Sequence, residues 1–294
     1  KSARPACPTR PPPGSRRAAE AKLLRAILRR RATAPDWRRL APPPASESWH
    51  GCLRIVRYAW PALPAEAGRI VFFSDLHFWR FRPERLPLLE EAIAAESPDW
   101  LLFGGDLCRH LTDLAAALEG LARLRARRGA FAVPGNRERA HFWLPHDFWT
   151  ERFAQAGFRL LHNATADLGP LVLAGLDDQR HGQPAPAILD GLRDSPKPVL
   201  TLWHSPDGPA GAAGHFLGHL VLAGHTHGGQ FRFPLIGPVY TSSAYGRQFD
   251  QGWFERGDGA RLYVTTGCGE TGTPRLRRRL LCPPEILVLH PANG

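Results

Sequence analysis

Methionine is absent, no two cysteines form a CxxC pair, and no apolar run approaches the ~18–20 residues that a helix needs to cross a bilayer. The last absence excludes a helical membrane span within these residues. The five cysteines (Cys7, Cys52, Cys108, Cys268 and Cys282) are odd in number and irregularly spaced, which points to reduced thiols and a cytosolic setting. Arginines interrupt every stretch that could serve as a signal-peptide core, and no self-similarity recurs at solenoid periods. With no methionine and Lys1 leading, the natural start is expected upstream. Excess positive charge is missing from most of the chain: residues 1–50 hold a surplus of +9 and the other 244 only +2, within a net charge of +11. Basicity therefore belongs to an N-terminal arm, which argues against a domain-wide nucleic-acid-binding face.

What is present suits a globular body. Hydrophobic residues make up 43% and charged residues 22% of 294, enough to bury a sizeable core and too apolar for a wholly disordered chain. Two regions are expected, an arm over 1–48 and a domain over 49–294. In the arm, Leu23, Leu24, Ile27 and Leu28 form an apolar stripe at helical spacing, and Lys22, Arg25, Arg29 and Arg30 cover much of the remainder. Such a helix over 18–32 can lie in an anionic membrane interface or pack on the body with its basic side solvated. The three prolines within 41–48 read as a linker.

From Leu53 onward, apolar runs alternate with helical patterns. Residues 69–73, 100–103, 130–133, 199–203 and 219–223 read as buried strands, and 83–96 and 112–128 as helices. This alternation implies an α/β architecture with ligands beyond the carboxyl ends of the strands. Each strand is followed at once by metal-ligand chemistry. The groups are Ser-Asp75-Leu-His77, Gly-Gly-Asp106, Pro-Gly-Asn136-Arg137-Glu138, His204, and Gly-His225-Thr-His227-Gly-Gly-Gln230. One such histidine is usually structural. Five groups at five strand ends are hard to attribute to packing, and carboxylate with imidazole suits Mn²⁺, Fe²⁺ or Zn²⁺.

This ordered set resembles the calcineurin-like metallophosphoesterase superfamily over residues 69–290. The Gly-His225-Thr-His227-Gly-Gly-Gln230 run, with the later Thr-Thr-Gly-Cys268-Gly and Pro284-Glu285-Ile286, is similar to its membrane-associated branch. The resemblance implies a four-layer αββα sandwich holding two metals. One would take Asp75, His77, Asp106 and His227, and the other Asp106, Asn136, His204 and His225, with Asp106 bridging. It also implies hydrolysis by a metal-activated water with no separate side-chain base. Asp106 and Arg137 are then the candidate catalytic residues.

Most of the superfamily has histidine where this chain has Arg137. A guanidinium gives up no proton near neutral pH but can hold phosphate oxygens bidentately. A leaving group that needs no proton, such as a phosphate leaving a phosphoanhydride, is thereby favoured. Gly-Asn-Arg followed by an acidic residue resembles the UDP-2,3-diacylglucosamine pyrophosphohydrolases of lipid A synthesis. That resemblance implies an acylated nucleotide-sugar substrate, Mn²⁺, and a cytoplasmic, peripheral position on the inner membrane of a Gram-negative bacterium. The His-Gly-Gly-Gln and C-terminal stretches depart from the best-known form of that family. Trp79, Arg80, Arg82, Arg137 and Trp143 are the candidate substrate-binding residues. Phe78, Phe81, Phe142, Phe148 and Trp149 fit either an apolar wall for acyl chains or core filling under long loops. The Arg275–Arg279 cluster reads as a phosphate or membrane contact or as solvated surface. Three readings compete with the leading one: a broader phosphodiesterase acting on another phospholipid or nucleotide, a nuclease, and a non-catalytic interaction module.

Overall fold

The computed structural model describes residues 32–43, 45–78, 85–141, 143–272 and 278–292. Apart from Ala32, the basic helix expected over 18–32 lies outside them, as do Trp79, Arg80, Phe81, Arg82, Phe142 and Arg275 to Arg277. Residues 33–294 form one compact unit. In chain order its strands are β1 (Trp37–Arg39), β2 (Ala45–His50), β3 (Leu53–Trp60), β4 (Ile70–Phe73), β5 (Trp100–Phe103), β6 (Gly129–Ala132), β7 (Arg159–Leu160) and β8 (Ala164–Asp167). They continue with β9 (Val172–Gly175), β10 (Val199–Leu202), β11 (Leu220–Ala223), β12 (Arg232–Phe233), β13 (Gly237–Pro238), β14 (Gly252–Arg256), β15 (Arg261–Val264) and β16 (Glu285–Pro291).

Two seven-stranded sheets result, in the orders β2-β3-β16-β4-β5-β6-β7 and β1-β14-β15-β11-β10-β9-β8. The inner runs β4 to β7, and β9 to β11 with β15, are parallel. Strands buried on both faces need apolar residues at every position, and β4 shows why. Ile70 and Phe72 enter the core between the sheets, while Val71 and Phe73 face the helical layer. That layer contains α1 (Arg85–Glu96), α2 (Leu114–Leu121), the single turn α3 (Asn136–Ala140) and α4 (His146–Gln155). Leu89, Ile93, Ala117, Leu121 and Phe153 pack there against the first sheet. Beyond the second sheet, Leu189 of the short helix Ala187–Asp190 packs with Val221, Ala223 and Phe254. Each fully buried Phe, Leu or Ile contributes about 1.5–3 kcal/mol of transfer free energy. The architecture is thus the expected sandwich, two sheets flanked by helices.

Two sequence expectations need correction. The region 41–48 is not simply a linker, because β2 begins at Ala45 and pairs antiparallel with β3, so the boundary expected at 48 falls inside a strand. The helix expected over 112–128 ends at Leu121. Arg123 and Leu124 close tighter turns onto Gly120 and Leu121, and the N–H groups of Arg127 and Arg128 donate to the carbonyls of Pro98 and Asp99. These bonds lead the chain into β6, which further helix would prevent.

Candidate metal centre

Strand register brings the five sequence groups to one rim. Phe73 pairs with Phe103, and Phe103 with Ala132, so the segments after β4, β5 and β6 leave the first sheet side by side. Leu202 pairs with Leu222, and Ala223 with Val264, so the segments after β10, β11 and β15 do likewise in the second sheet. The two rims are tied together by Cys268 and Gly269, whose N–H groups donate to the carbonyls of Ser74 and Asp75 at 2.9 and 2.7 Å.

The loops that follow are held in unusual backbone. Asp75, His77, Asp106, His225 and His227 all lie at positive φ, between 42° and 68°. Such conformations cost non-glycine residues energy and persist where surrounding structure over-determines them. Here close glycine contacts do so. A Cβ on Gly135 would overlap the Asp106 backbone and carboxylate, and one on Gly224 would overlap Asp75 Oδ2 and Ser74 Oγ.

The side chains converge on two sets. Ligand atoms of Asp75, His77 and His227 lie within 4.8 Å of one another, as do those of Asp75, Asp106 and His204. His77 Nε2 and His227 Nε2 are 3.0 Å apart, with Asp75 Oδ1 at 3.8 and 3.4 Å from them. Asp106 faces both sides: Oδ2 lies 3.5 Å from His77 Nε2, and Oδ1 lies 3.5 Å from His204 Nε2. Asn136 Oδ1 is 3.3 Å from the same His204 nitrogen, and the His225 ring meets His204 edge-on at 5.2 Å. Asp75, which the sequence reading gave to one metal, belongs to both sets.

These residues fit a pair of divalent cations. Asp75 Oδ1 is buried with no hydrogen-bond partner among the described residues, and the His77 and His227 nitrogens approach it at 3.8 and 3.4 Å, a donor set that suits a shared cation. Burial holds His77, His225 and His227 well below the ordinary histidine range, so they offer neutral lone pairs. Burial, partly offset by His204, pushes Asp106 up to about 8. His204, although burial opposes its charge, is pushed up to about 9 by Asp106 and Asp75. Without cations the site thus retains protons that cations would displace.

Supporting bonds fix the ligands. Ser74 Oγ and the His225 N–H donate to Asp75 Oδ2 at 2.8 and 3.0 Å. Asp106 Oδ1 accepts the Arg137 N–H at 2.7 Å. The His204 Nδ1 lies 2.6 Å from the Gly104 carbonyl, which directs Nε2 to the centre. Glu138, 1% exposed, accepts the N–H groups of Asp106, Leu107 and Gly135. It thereby clamps the Gly-Asp and Gly-Asn loops together.

The Arg137 side chain is half-buried; its Nε lies 3.8 Å from Asp106 Oδ2 and makes no hydrogen bond among the described residues. Other sequence candidates fare differently. Trp143 is exposed, edge-on to His141 at 5.1 Å. Trp149 is buried in the helical-layer core and is core filling, while Phe148 and Phe78 pack, partly buried, against that core. Arg279 is not simply surface: its guanidinium donates to the carbonyls of Thr266, Gly267 and Gly269 and lies 3.4 Å from His227 Nδ1.

Sequence reasoning missed a further strand end. After β9 come Asp177 and Asp178, both fully buried. Asp177 is 2.9 Å from His162 Nε2 and 3.1 Å from Arg139 Nε. Asp178 accepts the Arg180 and His181 N–H groups through Oδ2 and is near enough to His204 to favour its charged form. The paired carboxylates after an apolar run were the available signal.

A family model described as calcineurin-like phosphoesterase matches residues 68–229. The uncharacterized metallophosphoesterase YkuE of Bacillus subtilis is 31% identical over 230 residues, covering 75% of this chain and 77% of that protein. Phosphodiesterase YaeI of Escherichia coli is 33% identical over 232 residues, covering 75% and 81%. An uncharacterized metallophosphoesterase of Aquifex aeolicus is 30% identical over 249 residues, covering 81% and 91%. Sandwich, paired ligand sets and sequence similarity agree: the chain belongs to the calcineurin-like phosphoesterase family.

Proposed function

We propose that this metal-dependent phosphoesterase cleaves the pyrophosphate of UDP-2,3-diacylglucosamine to UMP and 2,3-diacylglucosamine 1-phosphate, using Mn²⁺ at the cytoplasmic face of a Gram-negative inner membrane. The observation that carries this reading is Arg137, whose Nε lies 3.8 Å from the Asp106 carboxylate. Asp75, His77, Asp106 and His227 would hold one cation, and Asp106, Asn136, His204 and His225 the other. When bound, such a pair supplies a hydroxide at neutral pH and takes up charge on phosphoryl oxygens.

The chain's own residues account for the rest. Asp106 presents one oxygen to each set and keeps their spacing fixed. Arg137 is placed to hold oxygens of a departing phosphate, which needs charge neutralisation and no proton. The positive charges of Arg109 and Arg180 are felt at His77 and His225 respectively, so cationic groups surround the centre and suit a diphosphate. An apolar cavity beside His77, lined by Leu53, Leu76, Phe78, Leu86 and Leu89, suits an acyl chain. Lack of a transmembrane helix among the described residues is compatible with peripheral attachment.

A second reading, a phosphodiesterase acting on another phospholipid or nucleotide, is favoured by the similarity to YaeI, which is named a phosphodiesterase. Turnover of UDP-2,3-diacylglucosamine and of bis(p-nitrophenyl) phosphate, compared in the parent and Arg137→His, separates them. The proposal expects UMP release by the parent and a larger loss on the anhydride than on the diester. Diester cleavage without UMP release would favour the second reading, and equal losses would remove the leaving-group role of Arg137.

A further inference from the structure

Seven of the nine exposed large apolar side chains among the described residues fall in two abutting segments. Phe233, Leu235, Ile236, Val239 and Tyr240 belong to the β12–β13 hairpin and its exit, and Leu280 and Leu281 lie beside it. The segments are joined by the Arg232 N–H donating to the Leu280 carbonyl at 3.0 Å and the Leu280 N–H to the Gln230 carbonyl at 2.9 Å. Scattered exposed leucines need no explanation, whereas a continuous apolar patch marks an interaction surface.

The hairpin tip has no reason within the fold to be apolar. Leu235 stands fully exposed at φ 66°, a conformation in which glycine or asparagine would be relaxed. Charge follows the same division. From His225 to Phe249 the sequence has no acidic residue and two arginines, Arg232 and Arg247. From Thr271 to Pro284 it has no acidic residue and four, Arg275, Arg277, Arg278 and Arg279. Arg232 is paired with Asp250 and Arg279 is held by the Thr266, Gly267 and Gly269 carbonyls, which leaves the exposed Arg247 and Arg278 as the cationic flank. An exposed apolar tip so flanked fits a lipid surface bearing anionic headgroups, its leucines among the chains and those two arginines at the phosphates.

The hairpin is also anchored to the metal centre at both ends. Gln230 follows His227 by three residues and exchanges two hydrogen bonds with the Thr271 backbone. At the return, Ser242 Oγ donates to the His225 carbonyl at 2.8 Å. Leu235 is eight residues from His227, so the tip and the ligand are separated by at most about 28 Å of extended chain.

We infer that residues 231–240, with Leu280 and Leu281, form a docking element that inserts into an anionic lipid surface and brings the metal centre to it. This deepens the acylated-substrate reading, on which it rests for the usefulness of docking, but it is tested by binding and not by turnover. Cosedimentation of the full chain with phosphatidylglycerol-containing vesicles is compared for the parent, a Leu235→Ser/Ile236→Ser double variant and a Trp49→Ser control. Hydrolysis of soluble bis(p-nitrophenyl) phosphate reports on fold and site. The parent and the control should bind, and the double variant should lose on the order of a hundredfold in vesicle affinity with diester turnover unchanged. Unaltered vesicle binding by the double variant overturns the inference, as does a parent that binds no vesicles. A parent dimer that the double variant splits, without vesicle binding, would assign the patch to a second copy and also overturn it. Absent diester turnover in the parent would instead count against the hydrolase reading and leave the vesicle result interpretable.

Discussion

Replacing Glu138 by alanine removes no metal ligand yet should weaken both the fold and the centre. Its carboxylate accepts the N–H groups of Asp106, Leu107 and Gly135 at 3.0, 2.8 and 2.8 Å, all in buried surroundings. A stranded buried donor costs about 1–3 kcal/mol. Water entering the space left by the side chain would satisfy part of that cost, which places the total near the lower end, about 3–5 kcal/mol. For a unit of this size, 1 kcal/mol corresponds to roughly 2–4 °C in Tm, so metal-free Glu138→Ala should unfold about 6 °C or more below the parent. The same loss frees the Gly-Asp and Gly-Asn loops to drift, and Mn²⁺ affinity should fall about 10–100-fold, as is usual when a partner behind the ligands is removed. Glu138→Gln, which keeps one acceptor oxygen but turns an amide toward a donor, should lie between them. Thermal unfolding and calorimetric Mn²⁺ titration measure the two effects. A Glu138→Ala protein within about 2 °C of the parent and binding Mn²⁺ as tightly would refute the clamp.

Three further outcomes are expected. Burial raises the Asp106 carboxyl and the neighbouring carboxylates raise the His204 imidazole, so this pair holds at least one proton in the metal-free site at neutral pH, and cation binding must release it. Mn²⁺ affinity should therefore rise with pH from 6 and level off above about 9, and titration in buffers of different ionisation enthalpy would show proton release; a pH-independent affinity would contradict this. Gly224→Ala sets a Cβ against Asp75 Oδ2 and Ser74 Oγ, so metal affinity should drop although every ligand is retained; metal content after desalting checks it. Arg279→Ala leaves the Thr266, Gly267 and Gly269 carbonyls without their shared donor and should cost about 2–4 kcal/mol in chemical denaturation, with Arg279→Lys recovering only part.

Much of this site is legible in the sequence because its ligands are local. A parallel strand must end before the chain can turn, so Asp75, Asp106, Asn136, His204 and His225 sit immediately beyond apolar runs that are themselves easy to read. Partnership across the fold is less visible. Glu138 looks like any acidic residue in a short helix until strand register sets the two loops together. Arg279 is one of several arginines in a basic run, and only the packing of the segment after β15 reveals three carbonyls around it. Trp149 shows the converse: lying near Arg137 in sequence, it turns into the core because it shares a face of α4 with Phe153, whose ring lies 6.1 Å from that of Phe103. The helix after Asp106 stops early for a similar reason, since pairing at Pro98 and Asp99 takes precedence over helical propensity. The apolar hairpin tip was readable as a short run but not as a protrusion.

The central claim is a two-cation centre bridged by Asp106, and metal content per chain tests it most directly. After reconstitution with Mn²⁺ and desalting, elemental analysis should find two ions per chain in the parent and at most one in Asp106→Asn, whose amide cannot serve both sets as a carboxylate does. A parent that retains none, or an Asp106→Asn protein that still holds two, would contradict the account.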